Sequence, residues 1–221
     1  DREFRQAEQD VTGLKPTAVP IRLGVLNSLS SDKLAEMVRR WQIDLPNVPL
    51  ELIEGNERGL SAALTQGKVD LAIGLIHAGQ AQFNSISLFE EDYVLMLPAS
   101  HALAGREQVS AEEVAGETMI ARRSCEVLSA TSRFFTEHGV RPPFSLRSPN
   151  DDRVMAMVAA GLGITVAPRS LVRNGVVSVS LDGFKLSRKI GILFSNNQPL
   201  AFTTSPSPLD PIRAAMEQES G

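Results

Sequence analysis

Apolar and polar positions along this chain repeat with two periods, and each switch between them marks an element. Ile21–Leu26 (IRLGVL) reads as a strand, followed by the polar loop Asn27-Ser28-Leu29-Ser30-Ser31. Leu34, Val38, Trp41 and Leu45 then recur at helical spacing until Pro46 stops the helix. Residues 49–54 (PLELIE) read as a second strand. A helix with Leu60, Ala63 and Leu64 inward ends at Gly67, and residues 70–75 (DLAIGL) read as a buried third strand. Strands alternating with helices in this way predict βαβ units on a parallel sheet.

Residues 85–98 form a long extended stretch, able to leave one lobe and enter another. Beyond it the alternation resumes. Residues 118–121 are a strand, and a helix holding Leu128, Phe134 and Phe135 ends at His138-Gly139. Residues 144–147 are a strand, Asn150 caps a helix carrying Val154, Met157 and Val158, and residues 164–167 are a strand with Pro168 opening a short helix. Late strands fall at 176–181 and 189–194, and residues 207–219 read as a terminal helix. At the other end, residues 1–13 read as the end of a polar helix continuing upstream, and 14–20, with Pro16 and Pro20, as a linker. The pattern predicts an α/β protein with two similar lobes, the last strand and helix returning to the first. Ligands in such folds bind outside the carboxyl ends of the strands, which between two facing lobes means a cleft.

Composition narrows the functions. The 221 residues are 43% hydrophobic, enough for one large domain or two lobes. A net charge of −4 makes this chain by itself a poor match for the phosphate backbone of DNA. The single cysteine, Cys125, excludes an internal disulfide and suits the cytoplasm. The apolar runs are too short to span a bilayer. His77, His101 and His138 are scattered, so no metal site is expected, and no cofactor fingerprint is present. No G-x-S-x-G, H-E-x-x-H or phosphate-binding loop points to an enzyme, and Gly161-Leu162-Gly163 precedes its strand instead of following one.

Six segments carry a resemblance. Val158-Ala159-Ala160-Gly161-Leu162-Gly163-Ile164 through Pro168 resembles the V-A-A-G-x-G-I signature of LysR-type effector domains. Ile21-Arg22-Leu23-Gly24, Pro46-Asn47-Val48, Glu54-Gly55, Gly67 to Ile73 and Ser100-His101-Ala102-Leu103-Ala104 resemble further family segments in the same order, with Ala102 where the family usually has Pro. The resemblance implies a two-lobed fold related to periplasmic binding proteins, each lobe a mixed sheet flanked by helices. It implies the end of a linker helix and linker at 1–19, lobe I at 20–90 plus 189–221 and lobe II at 91–188. It also implies a small-molecule effector, a homo-oligomer (dimer or tetramer), and DNA contact only through an N-terminal head outside this chain. A periplasmic-type solute-binding protein and a thiol-based oxidant sensor using Cys125 stand as alternatives.

The candidate ligand-binding residues follow from both arguments. Asn27, Ser28, Leu29 and Ser30 bring hydroxyls and a helix N-terminus to a strand end, where unpaired N–H groups favour an anion, and Ser30 or Ser31 is expected to cap that helix. Arg122, Arg123, Ser124 and Cys125 are expected to open a helix in the second lobe. There they form either an anion site or a solvated basic surface. A thiol so placed should have a lowered pKa. Ser148 and Asn150 cap another helix facing the same side. Thr165, inside the signature run, reads chiefly as strand core and completes the set. The expected ligand is a small anion, most simply an organic carboxylate.

Overall fold

The computed structural model describes residues 19–196 and 207–216. The anticipated linker helix at 1–13, most of the linker and the last residues of the anticipated terminal helix lie outside them.

Lobe I is built as the hydrophobic pattern implies. β1 (Ile21–Leu26) pairs in parallel with both β2 (Leu50–Gly55) and β3 (Leu71–Leu75). α1 (Ser31–Asp44) buries Met37 and Trp41, and the Trp41 indole donates to the Val48 carbonyl at 2.9 Å. α2 (Glu57–Thr65) is capped by Asn56, whose side chain accepts from the Gly59 N–H at 2.8 Å, and it buries Leu60 and Leu64. α5 (Leu209–Met216) seals the far side with Leu209, Ile212 and Met216.

The two lobes share strands instead of being joined by a loop. β4 (Phe83–Pro98) runs sixteen residues. Its first part, to Asp92, pairs antiparallel with β10 (Ser187–Ser195), which in turn pairs with β3. From Tyr93 onward β4 pairs with β8 (Thr165–Pro168) and β9 (Val176–Leu181). One hydrogen-bonded path therefore runs through both lobes, ending at β5 (Gln108–Val109), a short strand the sequence reading did not anticipate. The apolar cores remain separate. One lies among β1, β3, β10, α1, α2 and α5, and two others cover the faces of the second lobe. That second lobe adds the parallel pair β6 (Met119–Arg122) and β7 (Phe144–Ser148), with α3 (Leu128–Glu137) and α4 (Asp151–Ala159).

The glycines of the signature run have separate physical duties. Gly161 takes φ +80° just after α4, a left-handed position glycine occupies at little cost. Gly163 passes so close to the backbone at Thr118, within the same lobe, that a Cβ there would stand 2.4 Å from the Thr118 carbonyl oxygen. Two local expectations need correction. Pro168 is the last residue of β8, not the first of a helix, and only a single 3-10 turn, Arg169–Leu171, follows it. Ser30 occupies the N-cap position of α1 but its side chain makes no capping bond. Ser31 instead reaches Asp152 of lobe II at 2.6 Å.

Candidate functional site

Each lobe delivers strand ends to the cleft. In lobe I, β1 ends at Leu26, and the Leu29 N–H bonds back to the Leu26 carbonyl at 2.9 Å. That tight turn drives the Ser28 side chain inward, where it is fully buried. In lobe II, β6 ends at Arg122 and β7 at Ser148, and the Arg123 N–H donates to the Ser148 carbonyl at 2.8 Å, locking the two ends together. Residues 123–127 then form a turn before α3. Between the lobes lies a cavity of about 700 Å³ bordered by Asn27, Asn56 and Arg58 on one side and by Arg123, Ser124 and Glu126 on the other. A smaller interlobe cavity, about 230 Å³, reaches Leu29, Ser124 and Asn150.

The charge that organises the cleft is Arg188, on β10, which is 4% exposed. Its Nη1 donates to Ser28 Oγ at 2.8 Å and to Glu126 Oε1 at 2.6 Å, and its Nη2 donates to the Ser28 carbonyl at 3.0 Å. Its Nε donates to Glu91 Oε1 at 3.0 Å. The Ser28 hydroxyl itself donates to Glu126 Oε1 at 3.0 Å. Glu126, from the lobe II turn, thus closes a three-way contact with a lobe I serine and a cation on a shared strand. Burial alone would disfavour the Arg188 cation, but Glu91 and Glu126 outweigh it and hold its pKa above the ordinary value. Burial likewise works against the Glu126 anion, and Arg188 outweighs that to keep its carboxyl below the usual range. Tyr93 lies beneath, with the Arg188 guanidinium 5.9 Å from its ring centre, and burial pushes its phenol far up. Three buried polar atoms here, Tyr93 Oη, Asn27 Oδ1 and Glu126 Oε2, make no well-formed hydrogen bond, although the Tyr93 hydroxyl faces the Glu126 carboxylate.

Of the predicted residues, Ser28 is at the centre. Asn27 and Ser124 border the larger cavity, and Leu29 and Asn150 the smaller. Arg123 is exposed at the cavity mouth. Ser30 is buried at the start of α1. Arg122 is committed to a partner inside lobe II and does not border either interlobe cavity. It is 2% exposed, and its guanidinium grips Asp151 of α4 through Nε at 2.8 Å and through Nη2. A buried guanidinium must be paired, and an acidic residue in the first turn of α4 sits within reach. Cys125 precedes α3 by three residues instead of opening it, because the chain spends 123–127 on the turn. Burial pushes its thiol up in spite of Arg122 Nη1 at 3.3 Å, opposite to the expected lowering. Ser148 is buried in a local turn, its Oγ accepting from the Asn150 N–H at 3.1 Å, and Asn150 caps α4 through the Arg153 N–H at 2.7 Å. Thr165 donates to the Ile120 carbonyl at 2.8 Å and is buried within β8.

Arg188, Glu126 and Glu91 were missed. For Arg188 a signal existed. It shares a strand face with Ile190 by the two-residue period, and a cation in that alternation is a charge aimed at the core. Glu126 had no comparable signal, because the turn that aims it has no periodicity. Among the described residues no cluster of three potential metal ligands occurs, and no helix is long and apolar enough to cross a membrane.

A family model described as the LysR substrate binding domain matches residues 16–204. The HTH-type transcriptional regulator YybE of Bacillus subtilis is 25% identical over 195 residues, 86% of this chain and 67% of that protein. A hydrogen peroxide-inducible genes activator of Escherichia coli is 27% identical over 187 residues, 82% of this chain and 61% of that protein. The chain thus spans about two thirds or less of these relatives' length. Among solved structures, the CcmR regulatory domain of Synechocystis in complex with 2-PG matches with a TM-score of 0.73 at 18% identity, covering 91% of this chain and 99% of that one. At that identity the likeness concerns the fold.

Proposed function

This chain belongs to the LysR substrate-binding domain family, and on that footing we propose that it senses a small anionic effector in the interlobe cleft and signals to a DNA-binding head outside the sequence. The observation that carries the reading is the meeting of Ser28, Arg188 and Glu126, one from each lobe and one from a strand running between them. A ligand at that point touches both lobes, so its differential affinity for two lobe arrangements becomes a conformational signal. Ser28, Arg188, Asn27, Arg123 and Ser124 are the residues assigned to it, with Leu29 and Asn150 at the smaller cavity.

The lobe boundaries belong to the same proposal: lobe I at 20–90 plus 189–221, lobe II at 91–188, with 1–19 as linker. So do a cytoplasmic location, homo-oligomer formation and DNA contact through the head alone. Ile43, 76% exposed on α1, supports association through that helix. No catalytic step is assigned. The likeness to transcription regulators favours this reading over a solute-binding protein. Oxidant sensing through Cys125 has the peroxide-responsive relative in its favour, but the burial that raises the thiol pKa weighs against it.

Native mass spectrometry of the purified domain, followed by calorimetric titration of any recovered effector, tests the reading. A carboxylate or comparable anion is expected, with at least tenfold weaker binding to Ser28→Ala. An effector whose affinity is the same in Ser28→Ala and Arg123→Ala overturns the site. An uncharged effector overturns its chemistry.

A further inference from the structure

We propose that the Glu126 carboxylate is a built-in occupant of the effector's own seat, so that an incoming carboxylate must displace it from Ser28 and Arg188. The inference rests on the cleft reading above and adds a mechanism to it.

The two carboxylates around Arg188 are held unequally. Glu91 stands directly across from Arg188 in the β4–β10 ladder. It takes Arg188 Nε and Nη2 on Oε1, and it also accepts from the Ser170 N–H at 2.6 Å and the Ser170 hydroxyl at 3.0 Å. Both of its oxygens are satisfied. Glu126 holds Ser28 and Arg188 through Oε1 alone, and its buried Oε2, with Tyr93 and its own backbone N–H nearby, makes no well-formed hydrogen bond. A buried acceptor left unpaired is costly. Glu126 is therefore the carboxylate that can leave.

The charges agree. Arg122 with Asp151 and Arg188 with Glu91 make two internally neutral pairs, and Glu126 is the odd anion. Exchanging it for a ligand carboxylate leaves the buried charge unchanged and gives the Ser28 hydroxyl and Arg188 Nη1, the two donors that Glu91 does not serve, a carboxylate again. The Tyr93 hydroxyl, on a residue 2% exposed, faces the Glu126 carboxylate but makes no well-formed hydrogen bond to it. A ligand carboxylate with two free oxygens can serve Ser28 and Arg188 with one and Tyr93 with the other. Glu126 has somewhere to go, because its turn borders the larger cavity beside Arg58 and Arg123. Its departure removes the Ser28–Glu126 and Arg188–Glu126 bonds that tie lobe I and the shared strand to the lobe II turn.

Propionate tests this on the whole chain, because it is the Glu126 side chain cut free of the backbone. Deleting the internal carboxylate in Glu126→Ala should open the seat. Thermal shift and calorimetry should then show saturable propionate binding at least tenfold tighter than to the native domain. Sodium chloride at equal ionic strength should not reproduce it. Adding Ser28→Ala to Glu126→Ala should abolish the gain. If Glu126→Ala does not fold, Glu126→Asp withdraws the carboxylate by one methylene and should gain propionate in the same direction. Propionate acting no differently from chloride on a folded variant, or binding native and variant domains equally, overturns the inference. An effector that binds the native domain while the propionate experiment fails leaves the sensor reading standing. Propionate filling the seat with no effector ever found does the reverse.

Discussion

Arg122 and Asp151 form a closed, buried ion pair inside lobe II, the guanidinium 1% and the carboxylate 6% exposed. The pair pins the end of β6 to the first turn of α4, and Arg122 Nη1 also reaches the Val166 carbonyl at 3.4 Å. An arginine that faced the cleft in the sequence reading is thus part of the scaffold. Removing one member leaves the other charged and unpaired in the interior. Arg122→Ala is expected to cost about 3–5 kcal/mol of stability. Replacing both partners, as in Arg122→Met with Asp151→Leu, should recover a large part of that. Urea unfolding followed by circular dichroism checks it, and a single Arg122→Ala costing under about 1 kcal/mol, the level of an exposed pair, would contradict it.

Acid should loosen the cleft before it unfolds the lobes. The Glu126 carboxyl is held below its ordinary value in the folded chain by Arg188, with Arg122 assisting and burial opposing. A lowered folded pKa contributes stability that is present above the unfolded value, about 4.3, and is lost as pH falls through the folded one. Glu91, Asp151, Tyr93 and Cys125 share the surroundings of Glu126. The stability difference between native protein and Glu126→Gln should therefore stay constant from pH 8 to about pH 5 and shrink below about 4. Melting temperatures across that range measure it. A difference that grows in acid would falsify the assignment.

Tyr93 is the only tyrosine in the chain, so phenolate absorbance at 295 nm reports on it alone. Burial and the nearby Glu126 push its phenol up, and no phenolate should form in the folded protein at pH 11, well above the ordinary tyrosine value of about 10. Ionisation should coincide with unfolding, which the fluorescence of the single Trp41 registers in lobe I. A reversible phenolate signal at pH 10 with Trp41 unchanged would show that Tyr93 is accessible.

Cys125 should be a slow thiol. Its raised pKa leaves little thiolate at neutral pH, and iodoacetamide alkylation at pH 7.5 should run at least about tenfold slower than for an unfolded reference. Alkylation at the free-thiol rate, or ready oxidation by dilute peroxide, would revive the oxidant-sensing alternative.

Two glycines should be intolerant of even a methyl group, for a reason local to each. At Gly163 a Cβ would meet the Thr118 carbonyl oxygen at 2.4 Å, and at Gly191 the Ile86 carbonyl oxygen at 2.4 Å. Gly163→Ala and Gly191→Ala are expected to cost about 1–3 kcal/mol each, the range of overpacked cores. Gly116→Ala and Gly105→Ala, with nothing within 4 Å, should be close to neutral.

The elements and their order were set by local pattern. The period of Leu34, Val38, Trp41 and Leu45 specifies α1, the five buried residues of β3 read as a continuous apolar run, and the ordered segments ending in Gly161 and Gly163 carry the family and hence the two-lobed fold. The turn position of Ser28 and the capping role of Asn150 were legible as well, because a strand end followed by a helix start places polar side chains by geometry a few residues long. The partners of the charges were not. Whether Arg122 turns to a ligand or to Asp151, 29 residues on, depends on how α4 packs against β6. Whether Glu126 meets Ser28 and Arg188, 98 and 62 residues away, depends on how two lobes close around a shared strand. Hydrophobic periodicity fixes which side of an element is buried. A buried charge is satisfied by a specific atom on another element, and that pairing exists only once the chain has folded.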